Sequence, residues 1–258
     1  MNLPSYLSLE GKKVLVTGIA NDSSIAYGCA KAMRELGADL AVTYLNDKAK
    51  RFVQPLAESL GADLFMPCDV TRAGELEAVY AEIGQRWGVL HAALHSMAFA
   101  PKEDLQGRLV DSSLAGFQVA MDVSCHSFVR MAKLAEPLMS DGGALFTMTY
   151  LGATRAIKNY NLMGPVKAAL ESMTRYLALE LGPKIRVHAI SPGPLKTRAA
   201  SGLADFDQLM AKAAARAPAG QLATIDDVGR YVAFLATDAG RILTGDTLFV
   251  DGGYHIAD

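Results

Sequence analysis

Seven short apolar runs, at residues 13–17, 40–44, 64–68, 90–95, 144–149, 186–190 and 247–250, alternate with longer segments of helical period, and this alternation limits the fold more than any other feature. Consecutive strands separated by helices cannot pair through tight hairpins, so the sheet they form is parallel. The helical segments show their buried stripes: Ile25, Cys29, Met33 and Leu36 before Gly37, and Leu76, Val79, Tyr80 and Ile83 before Gly88. Crossovers of this kind cover both faces of a sheet. No linker, repeat or low-complexity block interrupts the pattern. The expectation is therefore one α/β domain over 1–258, a Rossmann-type, doubly wound, seven-stranded parallel sheet with helices on both faces and ligands beyond the carboxyl ends of its strands.

Composition removes several classes of function. Hydrophobic residues make up 51% of the 258 positions, charged residues 20%, and the net charge is -2, which suits a packed domain and gives no basic surface for nucleic acid. Cys29, Cys68 and Cys125 are scattered and odd in number, which points to free thiols in a reducing, cytoplasmic setting. His91, His95, His126, His188 and His255 form neither an HExxH pattern nor a cluster with cysteine, so no metal site is expected. Nor does any uncharged apolar run reach the ~18–20 residues that span a bilayer. A small-molecule partner is the remaining expectation.

Two segments carry chemistry. Val14-Leu-Val-Thr-Gly18 ends a strand on a glycine, and Ser24 and Ile25 stand where the next helix begins. Gly18 lets backbone approach a phosphate, and the helix start supplies N–H donors aided by its dipole. The alternative reads Gly18 as a turn residue and Ser24 as an N-cap. Further on, Tyr150, Tyr160 and Lys167 share one short stretch. A phenol can donate to a developing oxyanion, and a lysine seven positions later offers a cation to the same cofactor. Pro165 lies between them and is tolerated only near a helix start, which puts Tyr160 at or just before the first turn and Lys167 inside a helix ending near Gly182-Pro183.

These residues resemble the enoyl-acyl-carrier-protein reductases of the short-chain dehydrogenase/reductase superfamily. The resemblance rests on Gly18-Ile-Ala-Asn-Asp-Ser-Ser-Ile-Ala-Tyr-Gly28, His95-Ser-Met-Ala-Phe-Ala-Pro101, the two tyrosines with Lys167, and Ile190-Ser-Pro-Gly-Pro-Leu-Lys-Thr197. It is sharpened by six residues, rather than three, between Tyr160 and Lys167; an ordinary carbonyl-reducing member would carry lysine at 164, which is glycine. The resemblance implies hydride reduction of a trans-2-enoyl thioester in fatty-acid elongation. It implies that Tyr160 donates to the thioester oxygen, Lys167 holds the nicotinamide ribose, and Tyr150 lines the substrate side.

By the same resemblance Asp69 and Val70 are the adenine-binding pair, with organisation of a turn before a helix near Thr71 as the other reading of Asp69. Met97 adds a cofactor contact and Ala100 a substrate one. Leu195, Lys196, Thr197, Arg198 and Ala199 cover the nicotinamide and pyrophosphate, and Phe206 belongs to an acyl lid over about 196–218, where Leu203, Leu209 and Met210 follow helical spacing. Leu45 stands where an acid would bind the adenosine ribose. NADH is the expected donor, with NADPH as the other option through Lys48 or Arg51. The substrate carrier is acyl carrier protein or coenzyme A, with Lys212 and Arg216 as the bases near the lid, and the superfamily implies a homotetramer. Two other readings remain: an ordinary carbonyl or alcohol dehydrogenase, opposed by the lysine spacing, and a non-catalytic dinucleotide-binding scaffold, opposed by the presence of both Tyr160 and Lys167.

Overall fold

A computed structural model describes residues 4–195 and 206–257. All seven expected strands are present: β1 Lys13–Thr17, β2 Asp39–Tyr44, β3 Leu64–Pro67, β4 Ala92–His95, β5 Gly143–Met148, β6 Ile185–Pro192 and β7 Thr247–Val250. They form one sheet in the order β3-β2-β1-β4-β5-β6-β7, and every pair is parallel. The strand order reverses between β1 and β4, so their carboxyl ends open a crevice, the position where doubly wound sheets bind ligands.

Helices α1 Ile25–Glu35, α2 Asp47–Ser59 and α9 Ile225–Ala236 lie on one face; α3 Glu75–Arg86, α6 Ser127–Ala135 and α7 Met163–Leu181 lie on the other. Between them come a short α4 Lys102–Gln106, α5 Leu114–Met121 and, late in the chain, α8 Phe206–Arg216. The five inner strands are buried on both sides because alternate residues enter different cores. Val14 and Val16 pack with Cys29, Met33 and Val232, whereas Leu15 packs with Leu145, Phe128 and Val166. Full burial of each such side chain contributes roughly 1.5–3 kcal/mol.

Local chemistry moves some boundaries from their expected places. The helix after β3 begins at Glu75 rather than near Thr71, because the Asp69 carboxylate takes the Thr71 N–H at 3.0 Å and Gly74 adopts φ 87. The chain therefore makes a turn before it can enter the helix. Strand β6 continues two residues past Ile190, to Pro192, pairing with β7 throughout that extension. Helix α7 stops at Leu181, as the following Gly182-Pro183 requires. Helix α5 runs into α6 through a π turn, Asp122–His126, which nothing in the apolar pattern announces.

Candidate active site

The phosphate turn follows β1. Gly18 has φ 93, and a Cβ there would fall 2.1 Å from the Ser96 carbonyl oxygen, so the loops after β1 and β4 meet only because this side chain is absent. Ser24 occupies the N-cap position of α1, but its hydroxyl makes no capping bond to the helix. Instead Oγ accepts the N–H groups of Ala20 and Asn21, both at 3.0 Å, and donates to Asn21 Oδ1 at 3.2 Å. Ser24 thus shapes the loop and leaves the helix-start N–H groups, beginning with Ile25, without a side-chain cap, the condition in which a helix N-terminus attracts an anion.

Beyond this turn lies a cavity of about 590 Å³, walled by the carboxyl ends of β1 to β4. Gly18, Leu45, Asp69, Val70 and Met97 line it, together with Thr43, Asn46, Lys48 and Phe52. Of the other cofactor residues expected, Ser24 and Ile25 shape the turn instead of lining the cavity, while Leu195 is buried against the α1 side of the core. Asp69 organises the turn, its Oδ1 accepting the Thr71 hydroxyl at 2.6 Å, and it also lines the cavity. Leu45 is 53% exposed and offers no carboxylate at the end of β2. Lys196, Thr197, Arg198, Ala199 and Leu203 lie outside the described residues, as do the side chains of Phe206 and Leu209.

The second half of the site is built at the end of β5. Met148, Thr149 and Tyr150 follow one another at the end of the strand, and each engages α7 or the turn before it. The Met148 carbonyl accepts the Lys167 ammonium at 2.8 Å. The Thr149 hydroxyl donates to Glu171 Oε1 at 2.7 Å, and the Tyr150 ring meets the Tyr160 ring edge-on at 4.9 Å. Tyr160 itself lies before the helix, as Pro165 required. Its neighbours Asn159 and Asn161 take φ 67 and φ 36, a region asparagine tolerates better than most residues. Asn161 is also tied through Nδ2 to the carbonyls of Leu105 and Gly107. Tyr160 and Lys167 therefore do not share one helix face; a turn presents the first and the helix the second. Ala100 packs partly buried on the same side of the core as Tyr160.

Burial dominates the electrostatics here. It pushes the Tyr160 phenol well above its ordinary value, with smaller contributions from Tyr150 and Glu171, and pushes Tyr150 up to about 12. Both stay protonated donors at neutral pH. Lys167, only 5% exposed, is brought down to about 8 by burial, while Cys125 and Glu171 act the other way. His95 at the end of β4 is buried between the Thr147 and Ser127 hydroxyls, at 3.0 and 2.7 Å, and burial lowers it to about 3, so it is a neutral ring. The π turn aims Ser124 Oγ at the Phe99 backbone, accepting its N–H at 2.9 Å and donating to its carbonyl at 3.1 Å.

Glu171, Thr149, His95, Ser124 and Ser127 are site-supporting residues to which sequence reasoning gave no role. Glu171 had a legible signal, since it follows Lys167 by one helical turn on the same face. The others depend on contacts between distant segments. The donor set suits a dinucleotide: a cavity over the switch point, a side-chain-free cradle at Gly18, a cation beside a carboxyl end, and at the end of β6 a buried Ser191 hydroxyl that has no partner among the described residues. No group of three or more His, Cys, Asp or Glu among the described residues could hold a metal.

A doubly wound sheet with this crevice, and a tyrosine and helical lysine at the end of its fifth strand, defines a short-chain dehydrogenase/reductase. A family model described as Enoyl-(Acyl carrier protein) reductase matches residues 18–255. Enoyl-acyl-carrier-protein reductase (NADH) of Salmonella typhimurium is 47% identical over 251 residues, 96% of each chain, and that of Escherichia coli is 46% identical over the same share. Two solved structures superimpose closely. The Anaplasma phagocytophilum reductase in complex with NAD gives a TM-score of 0.93 at 45% identity, covering 96% of this chain and 95% of that one. The Bacillus cereus reductase with NADP+ and an indole naphthyridinone gives 0.94 at 42%, covering 97% and 98%. The chain belongs to the enoyl-acyl-carrier-protein reductase family.

Proposed function

We propose that this chain reduces the trans-2 double bond of enoyl-acyl-carrier-protein thioesters with NADH, as a step of fatty-acid biosynthesis, with Tyr160, Lys167 and Tyr150 as its working side chains. One observation carries the assignment of residues: the end of β5 brings the Tyr150–Tyr160 ring pair and the Lys167 ammonium to one place beside the sheet's crevice.

Bound reduced nicotinamide supplies the hydride, which leaves the substrate with negative charge on its thioester oxygen. Tyr160 meets that charge with a hydroxyl held protonated by burial, and a donor already in place stabilises the oxyanion without solvent reorganisation. Tyr150, packed edge-on, fixes the Tyr160 ring and walls the substrate side. Lys167, anchored by the Met148 carbonyl, keeps further N–H donors for the nicotinamide ribose. Gly18 and the α1 start would hold the pyrophosphate, and Asp69, Val70, Leu45 and Met97, which line the cavity, would surround the adenosine. By the family resemblance Leu195 belongs to the nicotinamide side and α8 to the acyl lid.

Acyl carrier protein is the proposed carrier, docking beside the exposed Lys212; Arg216 is already engaged, donating to the Ala257 carbonyl at 2.9 Å and lying 5.2 Å from the Tyr254 ring. The proposed assembly is a homotetramer, supported by apolar side chains left in water on α5 and α7: Leu114 at 72% exposure, Tyr176 at 71% and Leu179 at 83%. A cytoplasmic setting accords with Cys29, Cys68 and Cys125 all being free and buried. No helix among the described residues is long and apolar enough to cross a membrane.

The test is substrate choice. NADH oxidation with crotonyl or octenoyl thioesters, and none with acetoacetyl thioesters, is expected; the reverse preference overturns the reading in favour of a carbonyl reductase. Tyr160→Phe is expected to lower kcat by about 10²–10³ with NADH affinity retained. Lys167→Ala is expected to weaken NADH binding more than Tyr160→Phe does, measured by fluorescence titration.

A further inference from the structure

One helical turn after Lys167, α7 buries an acid. Glu171 is 7% exposed, accepts the Thr149 hydroxyl at 2.7 Å, and accepts a second side-chain hydrogen bond from Thr247 of β7. Burying a carboxyl costs several kcal/mol unless it is paired, and an apolar residue would fill the same space at less cost. Stability alone therefore gives no reason for an acid here. Its contacts suggest one. Thr149 lies between Met148, whose carbonyl anchors Lys167, and Tyr150, whose ring packs on Tyr160. Glu171 thus grips the strand residue that separates the two halves of the site.

The charges around Lys167 narrow the role further. The titratable groups that act on Lys167 are Cys125 in the π turn, His95 at the end of β4 and Glu171 on its own helix; Arg175 on α7 and Tyr160 in the preceding turn act with Glu171. Cys125 is pushed up by burial and stays a thiol, Tyr160 stays a phenol, and His95 stays a neutral ring. That leaves Glu171 as the acid of this set able to oppose the desolvation of the ammonium at neutral pH. Burial also raises Glu171, while the two hydroxyls, Arg175 and Lys167 pull it back toward the ionised form.

We propose that Glu171 is a positioning residue for the reduction: through Thr149 and Thr247 it fixes the ends of β5 and β7 on α7, and through its charge it keeps Lys167 an ammonium ready to hold the cofactor. This inference rests on the assignment of Tyr160 and Lys167 to the active site, and its test is arranged to separate the two.

Glutamine at 171 keeps an acceptor for both hydroxyls and removes the charge; alanine removes both. In NADH titrations followed by fluorescence across pH 6–10, Glu171→Gln is expected to move the loss of affinity on the alkaline side to lower pH by about one unit, the order produced by one nearby opposite charge. Its thermal midpoint should stay near that of the wild type. Glu171→Ala is expected to show the same shift and, in addition, about a tenfold or greater fall in kcat that Glu171→Gln largely restores. An unshifted alkaline limb in both variants overturns the proposal, as does a kcat in Glu171→Ala that follows only the folded fraction. If Tyr160→Phe and Lys167→Ala are themselves fully active in the same preparation, the site assignment fails instead.

Discussion

Gly152 makes room for Tyr160: a Cβ at position 152 would lie 2.4 Å from the ring's Cδ1 and 2.7 Å from its Cε1. The phenol is therefore placed by what the short turn Leu151–Ala153 lacks as much as by the Tyr150 ring beside it. Gly152→Ala should displace the Tyr160 ring while leaving the cavity proposed for the adenosine untouched. The expected result is a loss in kcat on the order of 10², the usual consequence of a displacement of about 1 Å at a reacting group, with NADH affinity close to wild type. Wild-type kcat in Gly152→Ala would show that the ring has a second productive position.

The alkaline side of the pH profile should report Lys167. Its folded value is about 8, lowered by burial from the ordinary 10.5. Above about pH 8 the folded protein loses this proton first, so kcat/KM for NADH should fall there, and the fall should be absent from the low residual activity of Lys167→Met. Stability runs the other way. Between about 8 and 10.5 the unfolded chain binds the extra proton, so this group's contribution to stability rises with pH across that window. Lys167→Met should accordingly unfold no more easily than wild type at pH 7 while binding NADH poorly; denaturant titration at pH 7 and pH 9.5 checks both signs.

His95 should make the fold acid-sensitive. Burial lowers its value from 6.5 to about 3, so between these limits the unfolded chain takes up a proton that the folded chain refuses. Stability from this group is complete above about 6.5 and declines as pH falls toward 3, by up to about 1.4 kcal/mol for each pH unit. Urea midpoints measured from pH 7 to 4 should drop more steeply in wild type than in His95→Gln. Parallel slopes would mean that another group, such as His188, which burial lowers to about 4, governs the acid limit.

The apolar pattern located every strand because both faces of the sheet are covered, and such strands are nearly continuous apolar runs. What it missed were ends decided by single polar contacts: Asp69 holding Thr71 in a turn delayed α3, and the β7 partner carried β6 on to Pro192. Pro165 correctly moved Tyr160 out of the helix, since a proline ring constrains its neighbours in any context. Asn159 and Asn161 also carried a signal for the turn. Ser24 is the instructive case. Its position matches a cap, yet its hydroxyl serves the loop, because a side chain that can bond either way is decided by where the loop backbone lies. The partners of Glu171 could not be read locally, for Thr149 and Thr247 reach it from two different strands.

Thr149 also donates its N–H to the Ile190 carbonyl at 2.8 Å, just past the last paired residues of β5. The residue that links Lys167's anchor to the tyrosine pair is thus a rung of the central sheet, and the side chains proposed for catalysis cannot part without breaking it. Exchange of this one amide with deuterium should be as slow as that of the core strands, with an opening free energy near that of global unfolding. Inhibitors or distant substitutions that loosen this end of β5 should then register at Thr149 before any change in secondary structure is visible.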